Sequence, residues 1–222
     1  MPIDVIARDK INTNTLIVVT EHLPPYQIGE SGKLVGGNIG LKVKSVIDEH
    51  YPDAIIDVMA WARAYKIALE RPNTLIFSIV RTPEREKLFH WIAKVDSVPT
   101  KLIALAQHPV KQVSNLQEIK GYKIGIKRSD AVSFVFLKQG FEYNKNLIEI
   151  VNTMSTMKML EKGRVEIIPS NDRIIDYYCE LNGCSQNDFK VIYQFNELSE
   201  DFYIAASKGT DPKLLAKLKK QF

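Results

Sequence analysis

Thr15-Leu-Ile-Val-Val-Thr-Glu-His-Leu-Pro-Pro25 decides how this chain is read. A β-branched, apolar run from Thr15 to Val19 meets a loop announced by two prolines, the pattern of a buried strand delivering a loop at its carboxyl end. Gly29 and Gly32 mark a tight turn. From Asn38, Ile39, Val43, Val46 and Ile47 recur at helical spacing, and the helix stops before Pro52. Ala54 to Met59 reads as a second strand, Trp61 to Glu70 as a helix ending at Pro72, and Thr74 to Val80 as a third strand.

The alternation restarts after a polar break near Asp96 to Thr100 that contains Pro99. Leu102 to Ala106 reads as a strand, and Ser114 with Gln117 has capping-box spacing for a short helical turn. Lys123 to Ile126 is a strand whose loop, Lys127 to Asp130, opens a helix ending at Gly140. Strands at Ile148 to Val151 and Val165 to Ile168 flank a helix from Thr156 to Lys162. Asp172 is placed to cap a helix running to about Leu181. Phe202 to Ala206 is the last strand, and Asp211-Pro212 starts the last helix. Strands alternating with ten-residue helices imply parallel sheets covered on both faces, here in two units. Ligands of open α/β sheets sit outside the carboxyl ends of the strands, so the loops after Val19, Met59, Val80, Ile126 and Ile168 are where chemistry is expected.

Bulk properties narrow the function classes. The 222 residues carry a formal charge of +4 and 45% hydrophobic residues, enough for two lobes with cores of their own. The basic residues are spread out, without the aromatic-interleaved stripe of a nucleic-acid binder. No run approaches a membrane span, and Met1 to Lys10 lacks the apolar core of a secretory signal, so a processed or a cytoplasmic chain is expected. His22, His50, His90 and His108 are scattered rather than spaced as metal ligands, and no glycine-rich phosphate cradle is present. Gly36, Gly37 and Gly40 read as a turn and a close helix start. No cofactor is expected. Cys179 and Cys184 fit either a disulfide or two free thiols. Met154, Met157 and Met159 read as packing, and Lys213, Lys217, Lys219 and Lys220 as a solvated helix face.

The segment Ser78-Ile-Val-Arg-Thr-Pro-Glu-Arg85 follows a strand end and brings two guanidinium groups toward the expected cleft. A planar guanidinium suits a carboxylate, because two parallel charge-assisted hydrogen bonds fix orientation as well as affinity. Pairing of Arg85 with Glu84 or another surface carboxylate is the alternative.

Four stretches together resemble family 3 bacterial extracellular solute-binding proteins: Leu34-Val-Gly-Gly-Asn-Ile-Gly40, Trp61-Ala-Arg-Ala-Tyr65, Phe77-Ser-Ile-Val-Arg-Thr-Pro-Glu-Arg-Glu86 and Leu116-Gln-Glu-Ile-Lys-Gly-Tyr-Lys-Ile-Gly125. The resemblance runs from about Thr15 to Leu215. It implies an α/β, type II periplasmic-binding-protein fold with two Rossmann-like lobes joined by two hinge crossings. Lobe 1 would comprise residues 13–98 and 195–222, with lobe 2, residues 99–194, inserted between them. The hinges would lie near Asp96 to Thr100 and Tyr193 to Glu197. By the same resemblance Arg85 clamps a ligand carboxylate, Ser78 shares its wall, and Tyr26 and Trp61 supply aromatic walls. Burial in the core is the competing reading for both aromatics.

The sequence also departs from the family pattern. Val80 replaces a second hydroxyl residue, and the second-lobe loop reads Arg128-Ser129-Asp130. The position that holds an α-ammonium falls on Asn171, an amide, beside Asp172, so Asp172 or Glu21 would have to supply that charge. A helix cap is the plainer role for Asp172. The resulting expectation is an extracytoplasmic, monomeric protein of the mature periplasmic form. It would capture a small carboxylate-bearing solute, with a membrane permease or a sensor as its reader and no nucleic-acid partner. A dehydratase-like enzyme is the main alternative, although no nucleophile with a base and no paired carboxylates are apparent. A regulator's effector lobe would need a helix-turn-helix ahead of Thr15.

Overall fold

The computed structural model describes residues 15–196, 198 and 201–222. The reading of Met1 to Lys10, and Glu197 of the second expected hinge, lie outside the described residues. Strand β1 (Ile17–Thr20) is an interior strand of the first sheet, buried on both faces as its continuous apolar run requires. It pairs in parallel with β4 (Ile55–Val58) and β5 (Thr74–Val80). A small antiparallel hairpin, β2 (Ile28–Glu30) and β3 (Lys33–Gly36), packs outside.

Helix α1 (Asn38–His50) buries Ile39, Val43 and Ile47, and α2 (Trp61–Glu70) buries Trp61, Ala64 and Ala68, each on a stripe of helical period. Ile17, Val19, Ile76 and Ile79 meet α2 on one face of the sheet, while Val18, Leu75 and Phe77 join α1 on the other. Gly37 starts α1 at φ 93°, and a Cβ there would sit 2.5 Å from Gln27 Cα and against the Tyr26 carbonyl.

The chain leaves this lobe through β6 (Phe89–Ser97) and returns through β12 (Asp201–Ser207), giving the order β4-β1-β5-β12-β6. The expectation of parallel sheets is corrected here: β12 runs antiparallel to both β5 and β6. A strand that re-enters from the neighbouring lobe arrives at the carboxyl ends of the parallel strands and must run the opposite way.

In the second lobe β7 (Lys101–Leu105) lies between β10 (Ile168–Ser170) and β11 (Phe189–Gln194), antiparallel to both. Strand β8 (Ile124–Lys127) pairs in parallel with β9 (Leu147–Ile150) and touches the approach to β10 through Ile124 and Ile167. Helices α3 (Ala131–Lys138), α4 (Thr153–Glu161) and α5 (Asp172–Asn182) cover this lobe, and α6 (Pro212–Gln221) packs on the first.

Three local expectations shift. The capping box uses Asn115 and Glu118 rather than Ser114 and Gln117, because the Asn115 side chain reaches the Gln117 amide and the Glu118 carboxylate reaches back to the Asn115 amide. Asn171, not Asp172, caps α5, its Oδ1 accepting from the Ile174 N–H. The strand expected at Val165 to Ile168 begins at Ile168. Cys179 and Cys184 form a disulfide across the end of α5.

Replacement of Gly37 by alanine forces both the clash and a backbone region costing about 1–3 kcal/mol for a side-chain-bearing residue. A thermal melt of the variant should fall by about 4–8 °C, and an unchanged midpoint would show that the close approach does not constrain α1.

Candidate functional site

All five loops singled out by the strand-end rule converge on one cavity between the lobes, with a volume of about 80 Å³. Glu21 follows β1, Trp61 follows β4, Arg85 follows β5, Lys127 ends β8 and Asp130 follows it, and Asn171 follows β10; all six line it, with Ser78 on the first-lobe wall.

Arg85 is 1% exposed and holds the site together. Its guanidinium carbon lies 5.6 Å from the Trp61 ring centre, 5.0 Å from Tyr65 and 5.8 Å from Phe134, an aromatic cage drawn from α2 and α3. Its Nη1 donates to the Val80 carbonyl and its Nη2 to the Ser129 carbonyl, each at 2.9 Å, while Nε has no partner among the described residues. The Trp61 indole also donates to the Ser129 carbonyl at 2.9 Å. One second-lobe carbonyl therefore receives two first-lobe donors. Burial pulls the guanidinium below its usual pKa, against the opposing pull of Tyr65 and Asp130. Among the described residues Arg85 has no carboxylate partner: Glu84 pairs with Lys138, and Glu86 takes the other guanidinium, that of Arg81, at 2.6 Å.

Two serines on opposite walls have left-handed backbones, Ser78 at φ 59° and Ser129 at φ 61°. Such conformations are costly for non-glycine residues and cluster at functional sites. Ser78 is held by a buried chain beneath the wall: its Oγ donates to Gln27 Oε1 at 2.9 Å, Gln27 Nε2 donates to Thr20 Oγ1 at 3.2 Å, and Thr20 donates to the Phe77 carbonyl.

A second bridge crosses the cleft beside the first. Glu21, 3% exposed, accepts from Lys127 Nζ at 2.5 Å, and Asp130 lies 3.3 Å from the same ammonium. Burial pushes the Glu21 carboxyl above its usual pKa, and Lys127 only partly offsets this. Burial works against the Lys127 ammonium too, yet the carboxylates of Glu21 and Asp130 outweigh it and hold that pKa above the ordinary lysine value. Glu21 Oε2 has no partner. Asp130 also caps α3 through the Val132 N–H.

Of the remaining sequence candidates, Tyr26 stands in the core behind the wall, edge-on to Phe202, and its hydroxyl crosses to Asn171 Oδ1 at 2.9 Å. Asn171 is thus engaged twice, as a helix cap and by Tyr26. Asp172 faces solvent and pairs with Lys101 at 2.8 Å, away from the cavity lining. Sequence reasoning did not single out Lys127, Tyr65, Phe134 or Gln27. Lys127 had a signal, a cation ending an otherwise apolar strand at its carboxyl end.

A cleft closed over charged groups by two lobes and two crossings defines the class: the fold is that of the periplasmic binding proteins. The structure is similar to a histidine kinase sensor domain with similarity to periplasmic binding proteins, with a TM-score of 0.73, 16% identity, and coverage of 94% of this chain and 88% of that one. It is similar to the substrate-binding protein of an amino acid ABC transporter, with a TM-score of 0.73, 16% identity, and coverage of 93% and 91%. It is also similar to the arginine-, lysine-, histidine-binding protein ArtJ of Geobacillus stearothermophilus, with a TM-score of 0.71, 16% identity, and coverage of 93% and 87%. No protein-family model matches the chain, and no curated protein does either.

Removal of one partner from a buried ion pair strands the other, at a cost of about 3–5 kcal/mol. Denaturant titration of Lys127→Met should show that loss near neutral pH. Burial disfavours only the ionised form of Glu21, so the penalty is present above its folded pKa and vanishes as protonation neutralises it. The deficit against the parent protein should therefore be larger at about pH 8 than at about pH 4. An equal deficit at both would rule out a stranded Glu21 charge.

Proposed function

We propose that this protein is an extracytoplasmic solute-binding protein that captures a small, amino-acid-like solute between its lobes without transforming it. The supporting observation is the Arg85 guanidinium, which lines the inter-lobe cavity, buried and aromatic-caged, and whose Nε has no partner among the described residues. In this reading the lobes are residues 13–98 with 195–222, and 99–194. When the second lobe swings away it takes the Ser129 carbonyl with it, and the Nε and Nη2 edge of Arg85 is left open as a fork for a ligand carboxylate. Ser78 and Trp61 shape the same wall, with Tyr26 behind it. Ser129, Asp130 and Asn171 close from the other side. Closure is favoured only by contacts that exist in the closed state, and the guest adds to them.

The similarity to an amino acid transporter's binding protein supports a permease as the reader of the closed form, and the protein acts as a monomer in that role. A sensor module is the second reading, supported by the similarity to a histidine kinase sensor domain; its capture step is the same. The Cys179–Cys184 disulfide suits an oxidising compartment such as the periplasm. Among the described residues no helix is long and apolar enough to cross a membrane.

A thermal-shift panel of amino acids, dicarboxylates and amines identifies the guest, because binding only the folded state raises its melting point. Calorimetry on Arg85→Ala should then lose about 1.5–3 kcal/mol of binding, tenfold to a hundredfold in affinity. Arg85→Lys keeps the charge without the fork and should be similarly impaired. Unchanged affinity in folded variants, or conversion of the guest during incubation, would overturn the reading.

A further inference from the structure

The chemistry of the guest can be narrowed from the four charged groups that line the cavity among the described residues: Glu21 and Asp130 are acidic, Arg85 and Lys127 basic. Two against two leaves the cluster electrically balanced. Two polar atoms of this set are buried without a hydrogen bond, Glu21 Oε2 and Arg85 Nε. One is an acceptor on an anionic group and the other a donor on a cationic group. Glu21 and Arg85 are 3% and 1% exposed, so bulk water does not compensate either atom.

Both anchors belong to the first lobe, so a guest can satisfy both before the second lobe closes. Asn171, where the family resemblance places the ammonium-holding group, has its Oδ1 committed to Tyr26 and to the Ile174 amide.

The geometry points to an electrically neutral zwitterion such as glycine or alanine as the guest, its N–H-bearing ammonium on Glu21 and its carboxylate on Arg85. This rests on the cleft being the capture site. A net cation such as arginine, or a net anion such as glutamate, would unbalance the cluster with an uncompensated buried charge. A quaternary ammonium such as glycine betaine is neutral overall but has no N–H for Glu21 Oε2. The selectivity thus differs from that of the arginine-, lysine-, histidine-binding protein to which the fold is similar.

Titration calorimetry of the full chain against glycine, alanine, arginine, glutamate, glycine betaine and propionate tests this. Glycine or alanine should bind at least tenfold more tightly than the other four. In Glu21→Gln the cluster carries a net positive charge and the ammonium loses its counter-ion, so alanine should weaken at least tenfold while propionate gains. The inference is overturned if arginine, glutamate or betaine binds as tightly as alanine, if neither small zwitterion binds at millimolar concentration, or if Glu21→Gln leaves the order unchanged. Arg85→Ala separates the two levels of the argument. Tight arginine binding that disappears in Arg85→Ala sinks the selectivity alone, whereas binding that survives in that variant sinks the capture site.

Discussion

A guanidinium buried between two lobes is the constraint around which the rest of this structure is arranged. Removing such a charge from water costs several kcal/mol unless the surroundings replace the hydration. Here the replacement comes from both sides of the cleft: Val80 and two aromatic rings from the first lobe, Ser129 and Phe134 from the second. The strained backbone at Ser129 has a physical reason in this arrangement, since it aims a single carbonyl at both Arg85 and the Trp61 indole. Opening the cleft separates those donors from their acceptor, and the hinge equilibrium is thereby tied to Arg85.

The Glu21–Lys127 pair adds a second tie of different character. It joins the lobes through charge, and Asp130 shares the ammonium, so neither carboxylate is fully compensated. Outside the cavity Arg173 and Asp96 bridge at 2.9 Å, and Lys138 meets Glu84. Exposed pairs of this kind contribute little. The closed arrangement therefore depends on the buried groups, and a guest has to improve on contacts the two lobes already make with each other.

Much of this was legible in the sequence because strand-end loops are set by backbone topology. Val19, Met59, Val80 and Ile126 fall within a residue of true strand ends, whereas Ile168 begins β10 instead of ending it; side chains from the loops after β1, β4, β5, β8 and β10 reach the cavity. Strands β6 and β11 were not readable. Phe89-His-Trp-Ile-Ala-Lys-Val-Asp-Ser97 and Phe189-Lys-Val-Ile-Tyr-Gln194 mix polar with apolar residues, and their pairing partners lie far away in sequence. The antiparallel return of β12 is likewise a property of the crossing, not of its own residues. Asn171 illustrates a deeper limit. Its amide was recognised as unsuited to an ammonium, but of its two roles only the capping of α5 is local; receiving Tyr26 depends on a residue 145 positions away. Lys127 was marked in the sequence only as a cation ending an apolar strand, its place between two carboxylates coming from the tertiary fold, and the cysteine pairing was settled only by the turn after α5.

The central claim is that buried polar contacts across the cleft, rather than the hinge segments, set the distance between the lobes. Electron spin resonance can measure that distance directly between labels at the exposed positions Lys66 on α2 and Lys145 before β9, in the parent protein and in Lys127→Met. The account predicts a dominant short separation in the parent and a population shifted to longer separations in the variant, restored toward the short one by a bound guest. Identical distance distributions in the two proteins would contradict it.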